Sequence, residues 1–116
     1  MRIEIKRVYD APASGDGYRV LVDRLWPRGV SKERAAIDLW AKDVTPSTAL
    51  RQWYGHEPER WLEFQKRYRA ELAANSQALD ELRATLKDQE IVTLVYGAKA
   101  TEYSHARVLK EVLLEE

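Results

Sequence analysis

Three stretches of the chain carry strand-like apolar patterns, and the stretches between them carry helical ones. In residues 3–8, IEIKRV, Ile3 and Ile5 alternate with charged positions before Val8. That period of two predicts a strand with one buried face. Residues 18–23, YRVLVD, hold the unbroken run Val20-Leu21-Val22, and residues 90–97, EIVTLVYG, hold a longer run closed by Gly97. Continuous apolar runs of this length suit strands covered on both faces, as in a parallel sheet.

The helical segments are marked by spacing and by caps. SKERAAIDLW begins a short helix with Ser31 as N-cap. In TPSTALRQWYG, Thr45 or Ser47 caps, Pro46 suits a first turn and Gly55 suits the exit. EPERWLEFQKRYRAEL opens with Pro58 in a first turn, and Trp61, Phe64, Tyr68 and Leu72 form one stripe. Asn75-Ser76 breaks or resets that helix, after which Leu79, Leu82 and Leu86 continue at helical spacing. The segment TEYSHARVLKEVLLEE turns Ala106, Leu109, Val112 and Leu113 inward.

The resulting order is strand, strand, helices, strand, helix. Long helical crossovers between apolar strands predict an α/β fold. We expect a single three-layer domain spanning residues 1–116: a small, mainly parallel sheet of three or more strands covered by helices. APASGDG, between the first two strands, is a loop by composition. About ten residues is short for a parallel crossover, so an antiparallel pairing of those two strands stays open.

Composition narrows the function classes. The 116 residues are 45% apolar and 33% charged, an ordinary globular balance. Nineteen basic residues against nineteen acidic ones give zero net charge, so any basic patch must be local and nucleic acid is a poor general partner. No cysteine is present, which excludes disulfides, thiolate metal sites and a cysteine nucleophile. The first ten residues hold no apolar signal region, and no stretch is apolar enough to span a membrane, so the expected location is the cytoplasm. No G-x-G-x-x-G, Walker A or G-x-S-x-G motif occurs, the two histidines form no metal motif, and no cofactor is expected.

Candidate chemistry gathers where strands end. In parallel sheets, ligands sit beyond the carboxyl ends of the strands. DRLWPRG follows the second predicted strand and YGAK follows the third. Together they bring Arg24, Arg28 and Lys99 towards one crevice, with Arg51 in support. Trp26 and Tyr96 would wall it, and His105 at the start of the last helix would serve as a general acid or base. Arginine forks favour carboxylate or phosphate, so a small anionic or phosphorylated ligand is the leading expectation. A tryptophan between two arginines also describes a protein-interaction hot spot. Single-stranded nucleic acid, bound by stacking and arginines, is a weaker third reading.

The segments DGYRVLVDRLWPRGVSKE, DLWAKDVTPSTALRQWYGHEPERWLEFQKRYRAEL and VTLVYGAKATEYSHARVLKEVL resemble the YeaO-like family. That family is a group of small bacterial proteins built around a domain of unknown function. The resemblance covers essentially the whole chain, and DRLWPRG is its most specific motif. It implies an α/β fold and places Asp23, Arg24, Trp26, Arg28, Arg51, Tyr96, Lys99 and His105 in family-like motifs. Where the family pattern implies an Asn-His pair, this chain has Ser104-His105.

Overall fold

The alternation in IEIKRV and the two apolar runs become the three longer strands of one sheet. The computed structural model describes residues 1–115. Strand β1 is Arg2–Arg7, β2 is Tyr18–Leu21, β3 is the two-residue Leu39–Trp40, and β4 is Ile91–Tyr96. The sheet order is β1-β4-β2-β3 and every pairing is parallel. The first two strands therefore do not pair in either direction, because β4 inserts between them, with Ile5 and Val20 both opposite Leu94. The loop between β1 and β2 therefore runs back from the carboxyl end of β1, level with Tyr96, and crosses β4 to start β2 level with Val92.

That crossing explains a glycine. Gly17 has φ +63°, and a Cβ there would stand 2.3 Å from the Ile91 carbonyl oxygen. Only a residue without a side chain lets the loop pass so close to the start of β4.

The helices are α1 (Lys32–Ala35), α2 (Thr48–Tyr54), α3 (Trp61–Ala74), α4 (Ser76–Leu86) and α5 (His105–Leu114). Their caps follow the sequence signals. Ser31 and Ser47 accept from the backbone N–H groups of Arg34 and Leu50, three residues on. Glu71 reinforces the second cap, accepting from both the N–H and the hydroxyl of Ser47. The chain breaks at Asn75, between α3 and α4.

The two faces of the sheet are covered unequally. One face, carrying Ile3, Val20, Val22, Val92, Leu94 and Tyr96, packs against α2–α5 in the main core. Phe64, Tyr68 and Leu72 are buried there, and the Tyr68 hydroxyl donates to the Val44 carbonyl at 2.5 Å. The other face is covered by one-turn α1 and adjacent loops, with Val8, Val30, Ala35 and Val95 buried and Trp26 and Ile37 against them.

The thinner layer contains a buried ion cluster that the apolar pattern does not announce. Arg19 is 4% exposed. It donates to the Ala35 and Ala36 carbonyls at the end of α1, and its Nη1 meets Asp16 Oδ2 at 2.6 Å. Lys6 Nζ approaches both Asp16 oxygens at 3.1 Å, and the Ala13 N–H donates to the same carboxylate. Burial alone would raise the Asp16 pKa, but the Ala13 N–H, Lys6 and Arg19 together hold it below the ordinary carboxylate value. Among the described residues, no helix is long and apolar enough to cross a membrane.

Candidate functional site

Because β2 and β4 run parallel, their carboxyl ends open on the same edge of the sheet. The chain leaves β2 through Val22 and Asp23 and leaves β4 through Gly97 and Ala98. Between these exits, the start of α5 and the flank of α2 lies a cleft of about 540 Å³. Asp23, Arg24 and Leu25 line it from the β2 side, and Thr48, Arg51, Gln52 and Tyr54 from α2. Pro46, His56, Phe64, Ala98 and the run Tyr103-Ser104-His105 complete it.

The back of the cleft is fixed by Asp23. Its Oδ2 accepts from the Gly97 N–H at 2.8 Å, joining the ends of the two strands. A Cβ at position 97 would lie 3.1 Å from that same oxygen, so glycine leaves room for the bond. The other carboxylate oxygen, Oδ1, lies 3.3 Å from His105 Nε2. That nitrogen is also 2.8 Å from the Val22 carbonyl oxygen. A carbonyl only accepts, so Nε2 carries the hydrogen and Nδ1 is the ring nitrogen left for other work. Ser104 caps α5, accepting from the Ala106 N–H.

The floor is aromatic. Tyr54 and Phe64 stack with centroids 4.2 Å apart and planes 19° from parallel. The Tyr54 hydroxyl donates to the Tyr103 carbonyl, and burial, with Tyr103 adding to it, pushes its pKa up to about 12. Tyr103 stands edge-on to Trp61, and His56 lies 5.8 Å from Tyr54.

Two arginines stand at the rim. Arg24 is exposed and reaches the Pro46 carbonyl only through long contacts of 3.4 Å. Arg51 is exposed on α2, directly facing the same space. Among the described residues, neither takes part in a salt bridge. The same residues hold no group of three or more side chains placed to bind a metal ion.

Of the residues singled out from the sequence, Arg24, Arg51 and His105 therefore meet in one cleft. The others do not. Trp26 folds back onto its own loop, donating from Nε1 to the Val30 carbonyl at 2.6 Å and meeting Trp40 edge-on. Arg28 and Lys99 are exposed and lie outside the lining of the cleft. Tyr96 is buried and lines a second, shallower depression of about 390 Å³ with Arg7, Asp10 and Arg107. Burial raises the Tyr96 pKa, with Asp10 adding to this and Arg7 opposing it.

Sequence reasoning missed Asp23 as the organiser, and it missed His56, Tyr54 and Tyr103. One signal was present: Asp23 directly follows the buried run Val20-Leu21-Val22, where a carboxylate must find partners. His56 sits in a turn with φ +56°, which nothing in YGHEPE discloses.

A family model described as "Inactive DUF488-N3 subclade" matches residues 2–116. The uncharacterised protein YeaO of Escherichia coli K12 is 47% identical over 113 residues, covering 97% of each chain. Uncharacterised proteins of Mycobacterium tuberculosis and Mycobacterium bovis are 46% identical over 112 residues, covering 97% of this chain and 93% of theirs. No solved structure matches the chain. A family model spanning residues 2–116, together with near-half identity along almost the full length of these relatives, shows that the chain belongs to the YeaO-like family of unknown function.

Proposed function

We propose that the cleft at the carboxyl edge of the sheet binds a small anion, a carboxylate or a phosphate monoester, and holds it without turnover. The observation that carries this reading is the pair Arg24 and Arg51: two exposed guanidinium groups on one cleft, neither with a carboxylate partner among the described residues. Arginines of this kind recognise planar or tetrahedral anions through paired N–H donors. The amino-terminal end of α5 adds a partial positive charge to the same wall. Asp23, the one acidic residue among the described residues that line the cleft, already has the Gly97 N–H and His105 as its own partners.

Support for binding without turnover comes from how the reactive groups are engaged. Ser104 is buried and serves as the α5 cap. His105 donates from Nε2 to the Val22 carbonyl, which holds the ring against the cleft wall and leaves only Nδ1 unengaged. The family description as an inactive subclade agrees with this reading. Trp26 is turned into the fold, which takes away the anchor that a protein-interaction reading of DRLWPRG would need.

The test is thermal melting with inorganic phosphate, phosphate monoesters and small carboxylates, on the unaltered chain and on Arg51→Ala. A ligand at one hundred times its dissociation constant stabilises the fold by about 2.7 kcal/mol. A shift in the unaltered chain that vanishes in Arg51→Ala supports the anion site. Shifts of equal size in both proteins would sink it.

A further inference from the structure

We infer that the shallower depression at the carboxyl end of β1 is a second binding site, and that it takes a zwitterion: a free α-amino acid with an aliphatic side chain. No residue that lines it lines the arginine cleft, so this inference stands apart from the anion reading. Arg7 ends β1 level with Tyr96, and Asp10 lies in the turn that follows, its N–H donating to the Arg7 carbonyl. Glu102 comes from the segment between β4 and α5, and Arg107 from the first turn of α5. All of these line one space of about 390 Å³.

The depression gathers two charges of each sign. Among the described residues, Arg7, Arg107, Asp10 and Glu102 take part in no salt bridge. Backbone carbonyls anchor both arginines instead. Arg7 donates from Nε to the Ala98 carbonyl at 3.0 Å, and Arg107 from Nη1 to the Glu102 carbonyl at 3.0 Å. Each guanidinium is thus held in place with donors to spare. Tyr96 is 1% exposed, and no hydrogen bond engages its hydroxyl among the described residues. No fully enclosed side-chain oxygen there lacks a partner, so the hydroxyl is the part of Tyr96 that opens into the depression. After burial, the charges that act on this hydroxyl are Arg7 and Asp10, so both signs are felt at one point.

This arrangement selects the ligand class. An anion drawn to the arginines would meet Asp10 and Glu102, and a cation drawn to the acids would meet Arg7 and Arg107. A molecule with both charges on adjoining groups complements all four. Its carboxylate suits the arginine forks, and its ammonium suits the two acids. Ile5, half-buried, lines the same space and gives an aliphatic side chain an apolar contact.

Calorimetric titration of the full chain near neutral pH tests this with leucine, leucine methyl ester and N-acetylleucine. Leucine carries both charges, the ester only the ammonium and the acetyl compound only the carboxylate. Leucine should bind at least about tenfold tighter than either, the loss expected for one charge-assisted contact. Arg107→Gln should weaken leucine and N-acetylleucine and spare the ester. Asp10→Asn should weaken leucine and the ester and spare N-acetylleucine. Arg51→Ala, on the separate cleft, should leave leucine binding unchanged. N-acetylleucine binding as tightly as leucine would remove any role for the acids and overturn the zwitterion. Loss of leucine binding in Arg51→Ala would move it to the cleft and overturn the second site. Neither heat nor a melting shift from millimolar leucine would overturn the inference and leave the anion reading standing.

Discussion

The two ends of β2 use the same residue types in opposite ways. At the entry to the strand stand Asp16 and Arg19, and at its exit stand Asp23 and Arg24. The entry arginine is 4% exposed and its donors are taken up by the Asp16 carboxylate and the carbonyls that end α1. The exit arginine is exposed and, among the described residues, hydrogen-bonds only to the Pro46 carbonyl, at 3.4 Å. The entry aspartate answers two cations and a backbone N–H, whereas the exit aspartate ties two strand ends and a histidine together. A charge whose every donor or acceptor is used is scaffold. A charge left with unused donors on a cleft is available to a ligand. What separates the two is burial and partnership, not residue type.

The sharpest way to break this comparison is to remove Arg19. Arg19→Ala leaves Asp16 buried with one cation fewer and strips the α1 carbonyls of their donor. Taking one partner from a buried pair costs about 3–5 kcal/mol. Chemical denaturation should show a loss in that range, and a loss below 1 kcal/mol would mean that Arg19 is no more structural than Arg24.

Acid should act on the same end of the strand. Folding holds the Asp16 pKa below its ordinary value of 3.8. The stabilisation is therefore full above the unfolded value and is lost as pH falls through it towards the folded one, beginning below about pH 5. Asp16→Asn should start less stable, because it leaves Arg19 buried without its anion. It should also lose stability less steeply between pH 5 and the acid limit. Parallel acid limbs for the variant and the unaltered chain would show that other carboxylates control this range.

The exit end should respond less. Asp23→Ala orphans the Gly97 N–H and removes the carboxylate beside His105, a change worth about 1–3 kcal/mol. Asp23→Asn keeps an acceptor for Gly97 and should recover most of that loss. If Asn fares no better than Ala, the charge facing His105, and not the bond to Gly97, is what holds the strand ends together.

The sequence disclosed the scaffold of this molecule better than its cleft, for physical reasons. Phe64, Tyr68 and Leu72, or Ala106, Leu109 and Val112, are buried in the structure because periodicity reports directly on which face meets the core. Ser31 and Ser47 cap because capping is a local event. Three features stayed hidden because each depends on distant partners. Leu39–Trp40 is a strand only because β2 offers it an edge. Arg19 reads as a surface position until α1 folds over it. Asp23 reads as a loop residue until Gly97, 74 positions away, arrives beside it. The arginines were legible as a group, but which of them share a cleft was decided by tertiary placement. Arg24 and Arg51 face each other's space, while Arg28, four residues from Arg24, does not.

The smallest effect on stability should accompany the largest effect on binding. Arg24→Ala and Arg51→Ala remove exposed side chains that have no ion-pair partner among the described residues, so each should change the unfolding free energy by no more than about 0.5 kcal/mol. If the exit end of β2 is a ligand site, the same substitutions should abolish the melting shift given by phosphate monoesters. The double variant should then do no more than either single one, because two guanidinium groups clamping one anion are not independent. Additive, partial losses would mean that each arginine attracts anions on its own across the surface. In that case the cleft between them would not be the site, and the contrast between the two ends of β2 would reduce to burial alone.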